Sequence, residues 1–159
     1  RIAVPERWVT MKSEHEAEAL VRDFITGWIT RKSFWLSMWS RENDVLLGHV
    51  PLFSVDWRVP RIEIGYLLDK EHTGKGYMTE GVYACTKFAF EHLHMKKLLL
   101  YCREDNLASA RLAERTGFTR EGFQRDHIPC GDGTLTGRVS YGMTRADYEQ
   151  LVRERPEHF

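Results

Sequence analysis

Three groups of residues in this chain have types and spacings that can do chemistry. Glu63 stands between Ile62 and Ile64, so a two-residue alternation puts a carboxylate on one face of a strand and two core-seeking side chains on the other. Partial burial there raises a carboxylate's pKa toward the range where it exchanges protons near neutral pH. The competing reading is a structural anchor bonded to backbone or to an arginine such as Arg61. The second group is the loop Thr73-Gly74-Lys75-Gly76-Tyr77-Met78, two glycines between that strand and a helix N-terminus. Glycines let backbone approach phosphate oxygens, and a helix start offers unpaired N–H groups and about half a positive charge, so the geometry suits a diphosphate. Lys75 adds a cation, and a plain tight turn is the alternative. The third group is Asn106-x-x-Ser109, an asparagine suited to cap a helix and a hydroxyl in its first turn, where bonding to the helix backbone is the competing use.

Two familiar phosphate motifs fail on spacing. A P-loop needs its first glycine where this chain has Asp69 and a Ser or Thr where it has Gly76; a dinucleotide fingerprint needs a third glycine where it has Thr79. No metal is expected, because His92 and His94 do not share a helix face and His127-x-x-Cys130 lacks further ligands. Cys85, Cys102 and Cys130 form no CxxC pair, and three widely spaced thiols fit a reducing compartment better than a disulfide framework.

The elements that must hold these groups follow from pattern. Ser13 and Glu16 form a capping box ahead of Ala17, Leu20, Val21, Phe24, Ile25, Trp28 and Ile29, an apolar stripe that predicts a core-packed helix. Residues 34–39 and 45–50 read as a hairpin, 61–68 as a third strand, and a second helix starts near Gly76 with Met78, Val82, Cys85, Ala89 and Leu93 on one face. The apolar run 97–102 predicts a parallel strand buried on both faces. Asn106 then opens a short helix over 107–116 that Gly117 ends, and two strands, 119–127 and 136–144, close the chain.

At 159 residues with 42% hydrophobic and 29% charged side chains, the chain is one folded domain, neither disordered nor repetitive. Its 23 basic and 23 acidic residues cancel, which argues against nucleic acid as a partner. No apolar run reaches the ~18 residues of a spanning helix, and residues 1–5 lack a signal-peptide core, so no membrane role and a cytoplasmic location are expected.

Glu63-Ile64-Gly65-Tyr66, Gly74-Lys75-Gly76-Tyr77-Met78-Thr79-Glu80, Asn106-x-x-Ser109, Glu114-Arg115-Thr116-Gly117-Phe118 and Glu121-Gly122-Phe123 come in an order and with gaps that carry a family. The pattern resembles the GNAT superfamily of acyl-CoA-dependent N-acyltransferases, and within it the branch of ribosomal-protein alanine N-acetyltransferases. It covers roughly residues 13 to 151. The resemblance implies a mixed α/β fold, a splayed mixed sheet of about six or seven strands with helices on both faces. It implies acetyl-CoA as co-substrate, its pyrophosphate on the amides of Thr73, Gly74, Lys75, Gly76, Tyr77 and Met78. The pantetheine arm would bond like an extra strand to the backbone around Tyr66, Leu67 and Leu68, with Asn106 near it. Relatives carry a first strand and helix ahead of the region matching Arg1, so a single domain over 1–159 lacking that N-terminal piece is expected. There are departures: the loop's usual Gln or Arg is Glu71, and the tyrosine many members place after the asparagine is Ala113, which removes that phenol as an acid for the leaving thiolate.

On this resemblance the expected reaction is direct attack of a primary amine on acetyl-CoA, with no acyl-enzyme intermediate. The amine must first be neutral, which makes Glu63 the expected base. A backbone N–H at the strand bend, that of Leu67, would hold the oxyanion, and Ser109 would serve the thiolate. The expected acceptor is a protein N-terminus such as that of a ribosomal protein. A small amine (polyamine, amino sugar or antibiotic) and a non-catalytic acyl-CoA-binding module are the alternatives, with the state left between monomer and homodimer. Trp57, beside Asp56 and Arg58 in a loop after a strand, is the expected substrate-facing aromatic.

Overall fold

The computed structural model describes residues 13–159; the start at residues 1–5, read above for a signal peptide, lies outside the described residues. Helix α1 (Glu14–Ile29) begins where Ser13 accepts a hydrogen bond from the Glu16 N–H. Its expected burial is not observed. Gly27 is its one buried residue, while Val21 and Ile25 are 53% exposed and Ile29 77%. The helix is fixed instead by two aromatic contacts to strand β1 (Phe34–Trp39): Phe24 stacks on Trp35 at 4.2 Å and Trp28 meets Phe34 edge-on at 4.9 Å. That contact line passes through residues 24, 27 and 28 and leaves the 21, 25 and 29 edge outside it.

β1 pairs antiparallel with β2, which extends beyond the expected hairpin to span Leu46–Asp56. Strands β3 (Arg61–Ile64) and β4 (Leu67–Leu68) then follow one path along β2, because Leu52↔Ile64 and His49↔Leu67 keep the same register. The single strand expected over 61–68 is thus interrupted only at Gly65 and Tyr66. Pro51 explains the break: the Gly65 N–H donates to the Pro51 carbonyl at 2.9 Å, but proline has no N–H to return.

A turn leads to α2 (Tyr77–Lys87), which opens at Gly76 with φ of 85° and runs on into a wider turn over Phe88–His92. β5 (Lys97–Arg103) lies parallel to β3, α3 (Leu107–Arg115) follows, and β6 (Thr119–Pro129) and β7 (Leu135–Thr144) form an antiparallel pair. Among the described residues the sheet has seven strands in the order β1-β2-β3-β5-β7-β6, with β4 on β2. Helix α4 (Arg145–Glu154) is absent from the sequence reading. Thr144 and Asp147 form its capping box, and Arg145 donates to the carbonyls of Phe90 and Met95, tying it to the turn after α2.

The core lies on one sheet face, where Val50, Leu52, Ile62, Ile64, Leu98 and Leu100 pack with Val82, Ala89 and Phe90. β5 is therefore not buried on both faces as expected. Leu98, Leu100 and Cys102 are buried, but Leu99 and Tyr101 are only half-buried because their face borders a cavity. No helix among the described residues is long and apolar enough to cross a membrane.

Candidate active site

The cavity exists because two parallel strands part. β3 and β5 pair at Arg61↔Lys97, Ile62↔Leu98 and Glu63↔Leu99 and no further. Beyond that point β2 keeps hold of β4, β7 keeps hold of β5, and a space of about 550 Å³ opens between them. Glu63, Tyr66, Tyr101, Asn106 and Ser109 all line it, so the structure brings together residues far apart in sequence.

Glu63 is half-buried on the face opposite Ile62 and Ile64. Burial raises its pKa above the ordinary carboxylate range, against smaller opposing effects from a Ser54 hydrogen bond and the Arg138 charge. Ser54 reaches it because β2 bulges between Phe53 and Asp56, with Ser54 at φ of 53°, a conformation non-glycine residues seldom adopt. The alternative partner Arg61 instead faces Asp56 at 3.5 Å. A carboxylate so placed holds a proton to higher pH than an ordinary one.

Ser109 is buried in the first turn of α3, and its N–H donates to the Asn106 side chain at 3.1 Å. Its hydroxyl is not spent on the helix backbone. It lies 2.5 Å from the Tyr66 hydroxyl, which also donates to the Ser109 carbonyl at 3.2 Å. Burial pushes the Tyr66 phenol up to about 12, the Ser109 bond pulling the other way, so it stays protonated at neutral pH. Burial likewise raises the neighbouring Cys102 thiol and keeps it a poor nucleophile. Ala113 is fully buried in the core, and the phenol bonded to Ser109 is that of Tyr66, in the break between β3 and β4.

Backbone direction can be read from register. Gly65 N–H donates to Pro51 and Asp69 N–H to Leu47, so by alternation the Leu67 N–H also points at β2. The amides of Tyr66 and Leu68 point the other way, into the gap. The Leu67 amide expected to hold an oxyanion is turned from the cavity, and its neighbours take that orientation.

Between β4 and α2, Gly74 and Gly76 have φ of 76° and 85° and open space where a Cβ would stand. No side chain caps the N-terminus of α2. Thr73, Gly74, Lys75 and Gly76 are all exposed, so the N–H groups at the start of α2 are open to an approaching anion.

The model of the acetyltransferase (GNAT) domain family matches residues 3–119. The chain belongs to this family. It is 34% identical over 98 residues to the Bacillus subtilis protein named "Probable N-acetyltransferase YjcK", covering 61% of this chain and 54% of that one. It is 30% identical over 81 residues to the "Ribosomal-protein-serine acetyltransferase" of Escherichia coli, covering 51% and 45%. The chain thus spans about half the length of the curated relatives it matches. The crystal structure of the spermidine/spermine N-acetyltransferase SpeG from Vibrio cholerae superposes with a TM-score of 0.75 at 18% identity, over 84% of this chain and 77% of that one, a likeness of fold.

GNAT membership implies acetyl-CoA as co-substrate, and the residues present fit it. The glycine positions leave room for phosphate oxygens, the uncapped α2 start supplies donors, and the outward amides of Tyr66 and Leu68 suit an extended amide-bearing arm. Glu71 is exposed, and its own N–H bonds to Asp69. Among the described residues no group of three or more His, Cys, Asp or Glu is arranged to hold a metal ion.

Trp57 stands apart from this GNAT cavity. Its indole N–H donates to the Arg31 carbonyl at 2.9 Å and the Arg31 guanidinium lies over its ring at 4.5 Å, so it ties the β2–β3 turn to the end of α1. Sequence reasoning missed Ser54, Tyr101 and Arg138, and took Tyr66 for its backbone alone. A positive φ at a serine and a contact across β5 and β7 leave no local signature, whereas the phenol of Tyr66 was legible as a residue type.

Proposed function

We propose that the protein is an acetyl-CoA-dependent N-acetyltransferase that works by direct attack of a primary amine in the Glu63 cavity, with a protein N-terminus as acceptor. The observation that carries this reading is the meeting, in one cavity between parting strands, of a carboxylate with raised pKa and a buried Ser109–Tyr66 hydroxyl pair. A pure binding module needs the glycine loop but neither of these.

Acetyl-CoA supplies an activated acetyl thioester. Thr73, Gly74, Lys75, Gly76, Tyr77 and Met78 would bind its diphosphate by backbone amides, and Leu68 and Asn106 would orient the arm between the strands. Glu63 accepts the proton that the amine must lose, directly or through a water. The outward amide of Tyr66 would donate to the acyl oxygen as negative charge develops on it. Ser109 donates its hydrogen to the departing sulfur while the Tyr66 O–H backs the serine oxygen. Cys102 takes no part. A protein acceptor is favoured by the relative named for acetylating a ribosomal-protein serine.

The test is thiol release from acetyl-CoA with N-terminal peptides, spermidine and amino sugars offered separately, against a control without amine. Release with the peptides, and an acetyl group on their α-nitrogen by mass spectrometry, is expected. Release with spermidine alone would keep the transferase and overturn the acceptor. No release, with acetyl-CoA still raising Tm, would leave a binding module.

A further inference from the structure

The charges around Glu63 are unbalanced. Among the described residues, the carboxylate, guanidinium and imidazole side chains on the cavity wall are those of Glu63, Arg103, Arg138 and His127, with no second carboxylate. Arg103 is neutralised locally, with Nε and Nη2 on the two oxygens of Asp105 at 2.9 and 2.7 Å. Arg138 is not. It stands opposite Arg103 in the β5–β7 register and opposite Gln124 in the β6–β7 register. Its Nε donates to Gln124 Oε1 at 2.7 Å, and among the described residues it forms no ion pair. Its guanidinium lies 4.3 Å over the Tyr101 ring. Tyr101 follows two residues after Leu99, the β5 partner of Glu63, so this stacking carries the charge toward Glu63, whose carboxyl responds to it.

We infer that Arg138 selects the acceptor: the cavity takes an amine-terminated peptide with a carboxylate among its first residues and disfavours polycationic amines. The inference rests on the reading that the acceptor amine comes to Glu63. Arg138 bonds Gln124 through its Nε, which leaves its two terminal nitrogens for an acceptor carboxylate at the binding step. A carboxylate there makes the charge-assisted, two-pronged contact that a guanidinium is shaped for. A polyamine brings further positive charge to the same wall and is repelled.

The experiment compares two peptides identical except for glutamate or lysine at the third residue, with wild type and with Arg138→Gln, Arg138→Lys and Arg138→Glu. Wild type is expected to favour the acidic peptide in kcat/KM by about tenfold or more, mainly through KM, and less so at high salt. Arg138→Gln should bring the two within about twofold, Arg138→Lys should keep part of the preference, and Arg138→Glu should reverse it. Calorimetry of the N-acetylated peptides with CoA present reads the same ratio without turnover. If neither peptide is acetylated, the acceptor proposed above fails, and the binding ratio still decides this inference. Equal binding of the two peptides by wild type, or a preference that survives in Arg138→Gln, would overturn it.

Discussion

The Tyr66 hydroxyl lies 2.5 Å from Ser109 Oγ, joining the break between β3 and β4 to the first turn of α3. The bond crosses the gap where β3 and β5 have parted, and both groups are buried. A serine hydroxyl alone is a weak proton donor. Backed by a phenol that stays protonated to about pH 12, it can share its hydrogen with a developing thiolate.

This pairing predicts non-additive losses. Tyr66→Phe and Ser109→Ala should each lower kcat about tenfold, near 1.4 kcal/mol of barrier, and the double variant should lose little more than either. Because Tyr66 titrates so far above neutral, Tyr66→Phe should lower the plateau of the pH–rate profile without moving its limbs. A loss below about threefold in Ser109→Ala would assign the hydroxyl to structure.

Glu63 also ties stability to pH. Its folded pKa is raised, so the folded state holds a proton that the unfolded chain has released over the interval between the two values. Its contribution to stability is full below the unfolded carboxylate range and is lost as pH rises through the folded value. Glu63→Gln should therefore melt higher than wild type at neutral pH, with the gap closing in acid. Calorimetric melting of both proteins across that range checks it.

The coenzyme loop can be tested against backbone strain. Gly76 and Gly133 both have φ near 85°, at 85° and 84°, and both have open space around them. Alanine at either should cost about 1 kcal/mol of stability. Only Gly76→Ala should weaken acetyl-CoA binding, by about tenfold, because a Cβ there enters the space the phosphates need. Equal affinities for acetyl-CoA in the two variants would remove the loop from the binding site.

Trp57→Phe should leave acceptor KM within about twofold of wild type while destabilising the protein by about 1 kcal/mol, the worth of its bond to the Arg31 carbonyl. A large change in acceptor KM would return Trp57 to the substrate side.

Much of this site is legible in sequence because it is built from local signals. The Gly74 and Gly76 loop, the Asn106 cap and the Ile62-Glu63-Ile64 alternation each depend on a few adjacent residues, and each is observed. What escaped depends on partners. The break at Gly65 comes from Pro51 across the ladder, the Leu67 amide direction from the register with His49, and the Arg138 charge from Tyr101 on a neighbouring strand. The apolar periodicity of α1 specified a helix, but not how much of its stripe β1 would cover. Helix α4 differs, since its Thr144-x-x-Asp147 capping box is a local signal, but Thr144 also ends the β7 strand pattern, which hides it.

The most direct test of the account is the pH dependence of acetyl transfer by wild type and Glu63→Gln, with acetyl-CoA affinity measured in parallel. The account predicts an acidic limb in the wild-type kcat/KM profile, set above the ordinary carboxylate range. In Glu63→Gln that limb should vanish and kcat should fall about a hundredfold, with acetyl-CoA bound as before. An unchanged limb in Glu63→Gln, with kcat near the wild-type value, would contradict it and move the base elsewhere.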